Sequence, residues 1–261
     1  MIRKQEEGII MIVTMLGTNG WFDTDFGQTM CTLIRTRDYS VILDAGYGIR
    51  RIKDLVDFSK PIYLLLTHLH LDHTIGLHTL DYFHFQLPVK IVVPAGQKQA
   101  FTELVRPPFT NPWTKMVPEG SELLDTDELE TAGFPFEITT LPLQHPVPDH
   151  GYRLGIEGKT VTYLSDTGYC ENAVTLAGGA DLVIAECGAL PGTVTDKPNA
   201  PHMEPEICAR LAVEAGAGQM VLTHFGAGAY TSIPQRMNAV ASARSIFPNL
   251  ITGVDNLEIV L

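Results

Sequence analysis

Short apolar runs, many rich in β-branched residues and bounded by Gly, Asp or Pro, recur along the whole chain. They predict strands over 10–16, 29–36, 40–44, 62–67, 89–93, 136–143, 152–156, 160–165, 182–186, 220–223 and 257–261. Between them, helical patterns fall at 97–105, 171–177, 205–215 and 234–246. In the third, Pro205 stands at the first helical position, where its missing N–H leaves nothing unpaired. Ile207, Leu211 and Ala212 then share one face, and Gly216 ends the helix. The fourth opens at Pro234 and stops before Pro248 in the same manner. Glu157-Gly158-Lys159 reads as a hairpin turn. The proline-rich stretch 106–113 reads as a surface loop, with a place over a site or at a subunit contact as the alternative. Strands alternating with helices in both halves predict two sheets packed face to face with helices outside: an α/β fold.

Composition narrows the class. A chain of 261 residues forms one large domain or two small ones, and a hydrophobic content of 45% is that of an ordinary globular protein. No apolar run reaches the length of about 18 residues that a membrane-spanning helix needs. Residues 1–10 carry Arg3, Lys4, Glu6 and Glu7 and lack a signal-peptide core, so they are expected to be a short N-terminal extension to a domain over 11–261. Cys31, Cys170, Cys187 and Cys208 are scattered and form no C-x-x-C pair, which fits a reducing cytoplasm. Cys187 follows Glu186 and is read as a small buried residue, with a soft metal ligand as the alternative. The net charge of −12 repels phosphate backbones, and no Lys/Arg run suited to nucleic acid is present. Small-molecule substrates are untouched by this argument, because a metal site carries its own positive charge.

The chemistry concentrates in Thr67-His68-Leu69-His70-Leu71-Asp72-His73-Thr74-Ile75-Gly76, directly after the apolar run Ile62 to Leu66. Imidazole and carboxylate ligate Zn, Mn or Fe and also serve acid–base work. In extended chain His68 and His70 point to the same side, because side chains repeat every second residue. Asp72 and His73 follow where the chain must turn, so the segment can face two metal positions.

This segment resembles the H-x-H-x-D-H signature of the metallo-β-lactamase superfamily. Further motifs of that superfamily appear in order: Val41-Ile42-Leu43-Asp44-Ala45-Gly46, His145 after the apolar run Ile138 to Leu143, Asp166 in Tyr163-Leu164-Ser165-Asp166-Thr167-Gly168, and His224 ending Met220-Val221-Leu222-Thr223-His224. The resemblance implies the four-layer αβ/βα sandwich, with the site at one edge where strand-end loops of both halves meet. It implies two divalent metal ions, zinc first, with Mn or Fe as alternatives. His68, His70 and His145 would hold one, Asp72, His73 and His224 the other, and Asp166 would bridge them, with Asp44 supporting the site. Water between two such cations is acidified into a nucleophile.

Within the superfamily, three details resemble the RNase Z-like branch: His145-Pro146-Val147-Pro148-Asp149-His150-Gly151-Tyr152, Ser165-Asp166-Thr167, and Glu186 with His202. The last pair implies a histidine, held by a carboxylate, that protonates a leaving alkoxide. Asp72, His202 and Glu186 are thus expected in catalysis. The long basic arm of RNase Z is missing between these motifs. The expectation is a metal-dependent hydrolase acting on a small phosphodiester, with no membrane or nucleic-acid partner. A lactone or thioester hydrolase and a tRNA 3′-processing enzyme are the alternatives. Oligomeric state is open, homodimers being common among similar proteins. His150 is placed either at the substrate pocket or in solvent, His78 and His84 in packing, and the Tyr230 hydroxyl either near the metals or in a plain turn.

Overall fold

The computed structural model describes residues 11–194 and 199–261; the expected extension, residues 1–10, lies outside them. The strands are β1 (Ile12–Gly17), β2 (Asn19–Gly20), β3 (Cys31–Arg35), β4 (Ser40–Leu43), β5 (Ile62–Leu65), β6 (Val89–Val93), β7 (Glu122–Asp125), β8 (Glu137–Pro142), β9 (His150–Ile156), β10 (Lys159–Leu164), β11 (Leu182–Glu186), β12 (Met220–Thr223), β13 (Phe225–Gly226), β14 (Leu250–Thr252) and β15 (Glu258–Val260). The helices are α1 (Leu71–Thr74), α2 (Lys98–Leu104), α3 (Trp113–Met116), α4 (Glu171–Ala177), α5 (Pro205–Ala215) and α6 (Ile233–Ala243).

One sheet runs β15-β1-β3-β4-β5-β6-β7 and the other β14-β12-β11-β10-β9-β8. Alternation along the strands explains how they stack. In β4, Val41 and Leu43 enter the core between the sheets, while Ile42 joins the outer core of the first sheet. In β11, Leu182 and Ile184 face the inter-sheet core, and Val183 and Ala185 face the helices. Both sheets are covered on both faces, so their central strands read as unbroken apolar runs. Leu176 of α4, Leu211 of α5 and Val240 of α6 cover the second sheet. Ile49, Ile52, Leu77 and Phe101 cover the first. The result is the expected αβ/βα sandwich.

Some elements were not legible in the apolar pattern. Two 3-10 helices, Tyr47–Asp54 and Ile75–Tyr82, are not among the elements expected from the sequence. The edge strand β7 is only partly buried and begins and ends on acidic residues, and β14 spans three residues. Helix α6 begins at Ile233 on a Ser232 cap and stops at Ala243, short of 246.

The site follows from strand direction. β4, β5 and β6 are parallel neighbours, as are β10, β11 and β12. Asp44, His68, Asp166, Glu186 and His224 lie at or just past the C-terminal ends of their strands, where open α/β sheets carry their ligands.

Candidate metal centre

Asp44 is the hub beneath the site. It is fully buried, and its φ of 59° puts it in the left-handed region, just past β4. One carboxylate oxygen accepts the Thr67 amide at 2.8 Å and the Thr67 hydroxyl at 3.0 Å. The other accepts the Tyr163 hydroxyl at 2.9 Å and pairs with His73 Nδ1 at 2.8 Å. Holding Nδ1 of His73 as the bonded nitrogen leaves Nε2 free to face the site.

The sequence-predicted ligands converge. His68, His70, His145 and Asp166 each offer an atom within 4.8 Å of the others, as do Asp72, His73 and His224. Asp166 lies between the groups: its Oδ1 is 3.2 Å from His73 Nε2 and 3.0 Å from His224 Nε2, and its Oδ2 is 3.9 Å from His68 Nε2. His145 Nε2 is 3.3 Å from His70 Nδ1, and His224 Nε2 is 3.3 Å from Asp72 Oδ2. Buried His68 Nε2, His73 Nε2 and Asp166 Oδ1 make no hydrogen bond of good geometry. Orphaned buried polar atoms are rare, and here they point at common centres. Nitrogen and carboxylate donors with this convergence fit divalent metal ions.

The electrostatics are those of a site held together by opposite charges. Burial opposes ionisation of Asp166, but the charges and hydrogen bonds of His224 and His73 hold its carboxyl well below the usual range. Asp72 is likewise lowered against its burial, through the His224 hydrogen bond and the His73 charge. Burial opposes the charge of His224, yet Asp166 and Asp72 raise it to about 10. His68 is driven down by burial and by the neighbouring His73.

Asp149, within the His145-to-Tyr152 pattern but unassigned by sequence reasoning, stands behind His68. Its Oδ2 is 3.3 Å from His68 Nδ1, and both side chains are fully buried. Burial and the charges of Asp166 and Asp44 push its carboxyl well up. The only signal in the sequence was an acidic residue just before a strand whose Tyr152, Leu154 and Ile156 enter the core.

His202 and Glu186 form the expected pair, with Nδ1 of the histidine 3.6 Å from Oε1 of the glutamate. Glu186 is fully buried at the end of β11. It accepts the Met203 amide at 2.5 Å and the Gly188 amide at 2.6 Å, which fix its direction. The His202 ring stacks against His224 at 5.7 Å and keeps about a third of its side chain exposed, at 34%. Burial works against its charge, but the neighbouring Glu186 carboxylate raises its pKa.

Other candidates lie elsewhere. Tyr230 is fully buried and its hydroxyl donates to Ala189 O at 2.7 Å, so it faces the core rather than the metals. Cys187 is buried, 3.8 Å from the Tyr230 hydroxyl, and joins no ligand group among the described residues. His150 starts β9, its amide donating to Thr67 O at 3.0 Å, and it does not line the site cavity. His78 stacks on Tyr47, and His84 is exposed with φ 51°. Phe109, in the 106–113 loop, is exposed and away from the cavity lining.

A family model described as the beta-lactamase superfamily domain matches residues 39–225. The chain belongs to that superfamily. This superfamily member is 30% identical over 219 residues to the probable metallo-hydrolase YhfI of Bacillus subtilis (strain 168), covering 82% of this chain and 86% of that one. The YhfI crystal structure superposes with a TM-score of 0.80, covering 97% of this chain and 100% of that chain at 24% identity. A ribonuclease Z of Thermobifida fusca (strain YX) is 24% identical, covering 81% of this chain and 82% of the relative. A diphosphatase from the PhnP family shares the fold at TM-score 0.70 and 14% identity, covering 97% of each chain. The protein is a metal-dependent hydrolase of the metallo-β-lactamase fold.

Proposed function

We propose that this hydrolase is a phosphodiesterase acting on a small phosphodiester. The observation that carries the reading is the His202–Glu186 pair, set against His224 and Asp166 at the rim of the ligand cluster. His202 is the catalytic acid: its exposed Nε2 edge delivers a proton to the departing alkoxide oxygen. Glu186 is a positioning residue that holds Nδ1 and favours the charged ring. Departure from phosphorus benefits from such a donor more than acyl transfer to water does.

The metal reading is part of the same proposal. His68, His70 and His145 would hold one divalent cation and Asp72, His73 and His224 a second, with Asp166 shared and zinc the preferred ion. When bound, the cations supply Lewis-acid polarisation of the phosphoryl oxygens. Asp44 holds the imidazole of His73 turned toward the centre, and the Thr67 hydroxyl, 3.1 Å from His68 Nδ1, does the same for His68, with Asp149 close behind. The likeness to a ribonuclease Z and to a diphosphatase supports phosphoryl chemistry; the charge of −12 opposes a large RNA substrate.

A panel of bis-p-nitrophenyl phosphate, cyclic nucleotides, lactones and thioesters, assayed with metal-loaded protein, tests the proposal. Turnover of phosphodiesters above the carbon esters is the expected result. Turnover confined to lactones or thioesters would overturn it.

A further inference from the structure

The mouth of the site carries an aromatic side chain that the reaction itself does not require. Trp21 is 78% exposed, the most exposed large apolar side chain among the described residues. It lines a cavity of about 860 Å³ together with His70, Asp72, His145, His202 and His224. Phe22 beside it and Leu71 on the same cavity are exposed as well, and an exposed apolar patch at a cavity mouth is a sign of recognition.

Three observations show the construction. The Trp21 backbone amide donates to Asp72 Oδ2 at 2.6 Å, which ties the main chain beneath the indole to a ligand-cluster residue. The backbone there has φ 79°, a conformation costly for a bulky residue and kept only where surrounding contacts enforce it. Those contacts come from Asn19, whose Nδ2 donates to Phe22 O at 3.0 Å, Thr24 Oγ1 at 3.1 Å and Gly27 O at 2.9 Å. Its Oδ1 accepts Arg236 Nη2 at 2.5 Å, and Arg236 is itself fully buried. The loop backbone is thus fixed where it carries the indole at the cavity mouth.

The cavity's charges say what lies against that indole. Among the described residues lining it, none is Lys or Arg, and Leu71, Ala229, Gly226 and Gly228 extend the wall without charge. A second phosphate group on the substrate would find no cation there beyond the metal centre. A flat neutral ring would find an aromatic face. From these observations we infer that Trp21 is the specificity-determining residue, stacking on the nucleobase of a phosphodiester whose ribose joins that base to the reacting phosphate. This rests on the phosphodiesterase reading above.

The test compares 2′,3′-cyclic adenosine monophosphate with methyl riboside 2,3-cyclic phosphate, which has the same reacting ring without the base. Wild-type enzyme should show a KM for the nucleotide lower by roughly ten- to a hundredfold, the range for base–aromatic stacking. Trp21→Ala should erase that ratio with metal content unchanged, and Trp21→Phe should keep much of it. Trp113→Phe leaves Trp21 as the only tryptophan of the two in the chain, and its fluorescence should be quenched by the nucleotide and not by the riboside. A ratio that survives Trp21→Ala, or fluorescence indifferent to the base, overturns the inference, as does a change confined to oligomeric state. If bis-p-nitrophenyl phosphate is hydrolysed and neither ribose ester is, the inference falls and the phosphodiesterase reading stands; if no phosphodiester is hydrolysed, that reading falls, and the quenching alone decides for or against Trp21.

Discussion

Asp149 and His68 face each other inside the protein, a carboxylate oxygen 3.3 Å from the imidazole Nδ1 and neither side chain open to solvent. The Thr67 hydroxyl also lies 3.1 Å from that Nδ1, and groups behind a candidate ligand histidine fix which nitrogen would meet a metal. Asp149→Asn should therefore weaken metal binding by about ten- to a hundredfold while the fold persists. Competition with a chromogenic chelator, beside far-UV circular dichroism, reads both quantities. Undiminished affinity would remove Asp149 from the site.

His202 gives a prediction that depends on the leaving group. For an alkyl phosphodiester, His202→Ala should lower kcat by roughly 10²–10⁴-fold, the usual worth of a positioned acid. For bis-p-nitrophenyl phosphate the loss should be small, because p-nitrophenolate departs without protonation. Glu186→Gln should follow the same pattern to a lesser degree. Equal losses on both substrates would show that His202 serves structure or binding instead of proton transfer.

Gly20 bears on the second ligand group. A Cβ at this position would collide with the ring of His224, which packs directly over it. Gly20→Ala should displace that imidazole and lower the metal content by about one ion per chain, with melting by circular dichroism still cooperative. Full loading measured by atomic emission would refute this.

Protonation of the metal-free cluster sets a pH dependence. His224 is raised to about 10 in the folded protein, above its unfolded value near 6.5. Its contribution is fully present below about pH 6.5 and is lost as pH rises through about 10. Asp72 is lowered, so its contribution is present above its unfolded value near 4 and is lost in acid. Metal binding requires deprotonated histidines, so loading works in the opposite direction. The melting temperature of metal-free protein should fall from pH 6.5 toward 10, and the gap to loaded protein should widen. A gap constant across that range would contradict the assignment of His224.

Much of the candidate centre was legible in the sequence because its potential ligands sit in short motifs at strand ends. His68, His70, Asp72 and His73 lie within six residues, and their types alone name the chemistry. Asp166 and His224 follow apolar runs that read as strands. Tyr230 shows the reverse case. Its place after His224 left two orientations open, and only the packing of Phe225 and the carbonyl of Ala189 turned it inward. The 3-10 helices around Gly48 and Gly76 were hidden for another reason. At one glycine in each, the chain passes against other backbone: a Cβ at Gly48 would meet Leu16 and one at Gly76 would meet Ala45 and Gly46. No local periodicity records such contacts.

By itself, then, the sequence determined the fold class, the ligand types and their order, because strand burial and donor chemistry are local properties. The tertiary structure decided how those donors are aimed. Asp44 reaches Tyr163 across 119 residues of chain, and Trp21 reaches Asp72 across 51. Asp149 becomes the partner of His68, and Trp21 the face at the cavity mouth, only through such distant contacts. Their energies depend on burial and alignment, which exist only once the two sheets have closed over each other.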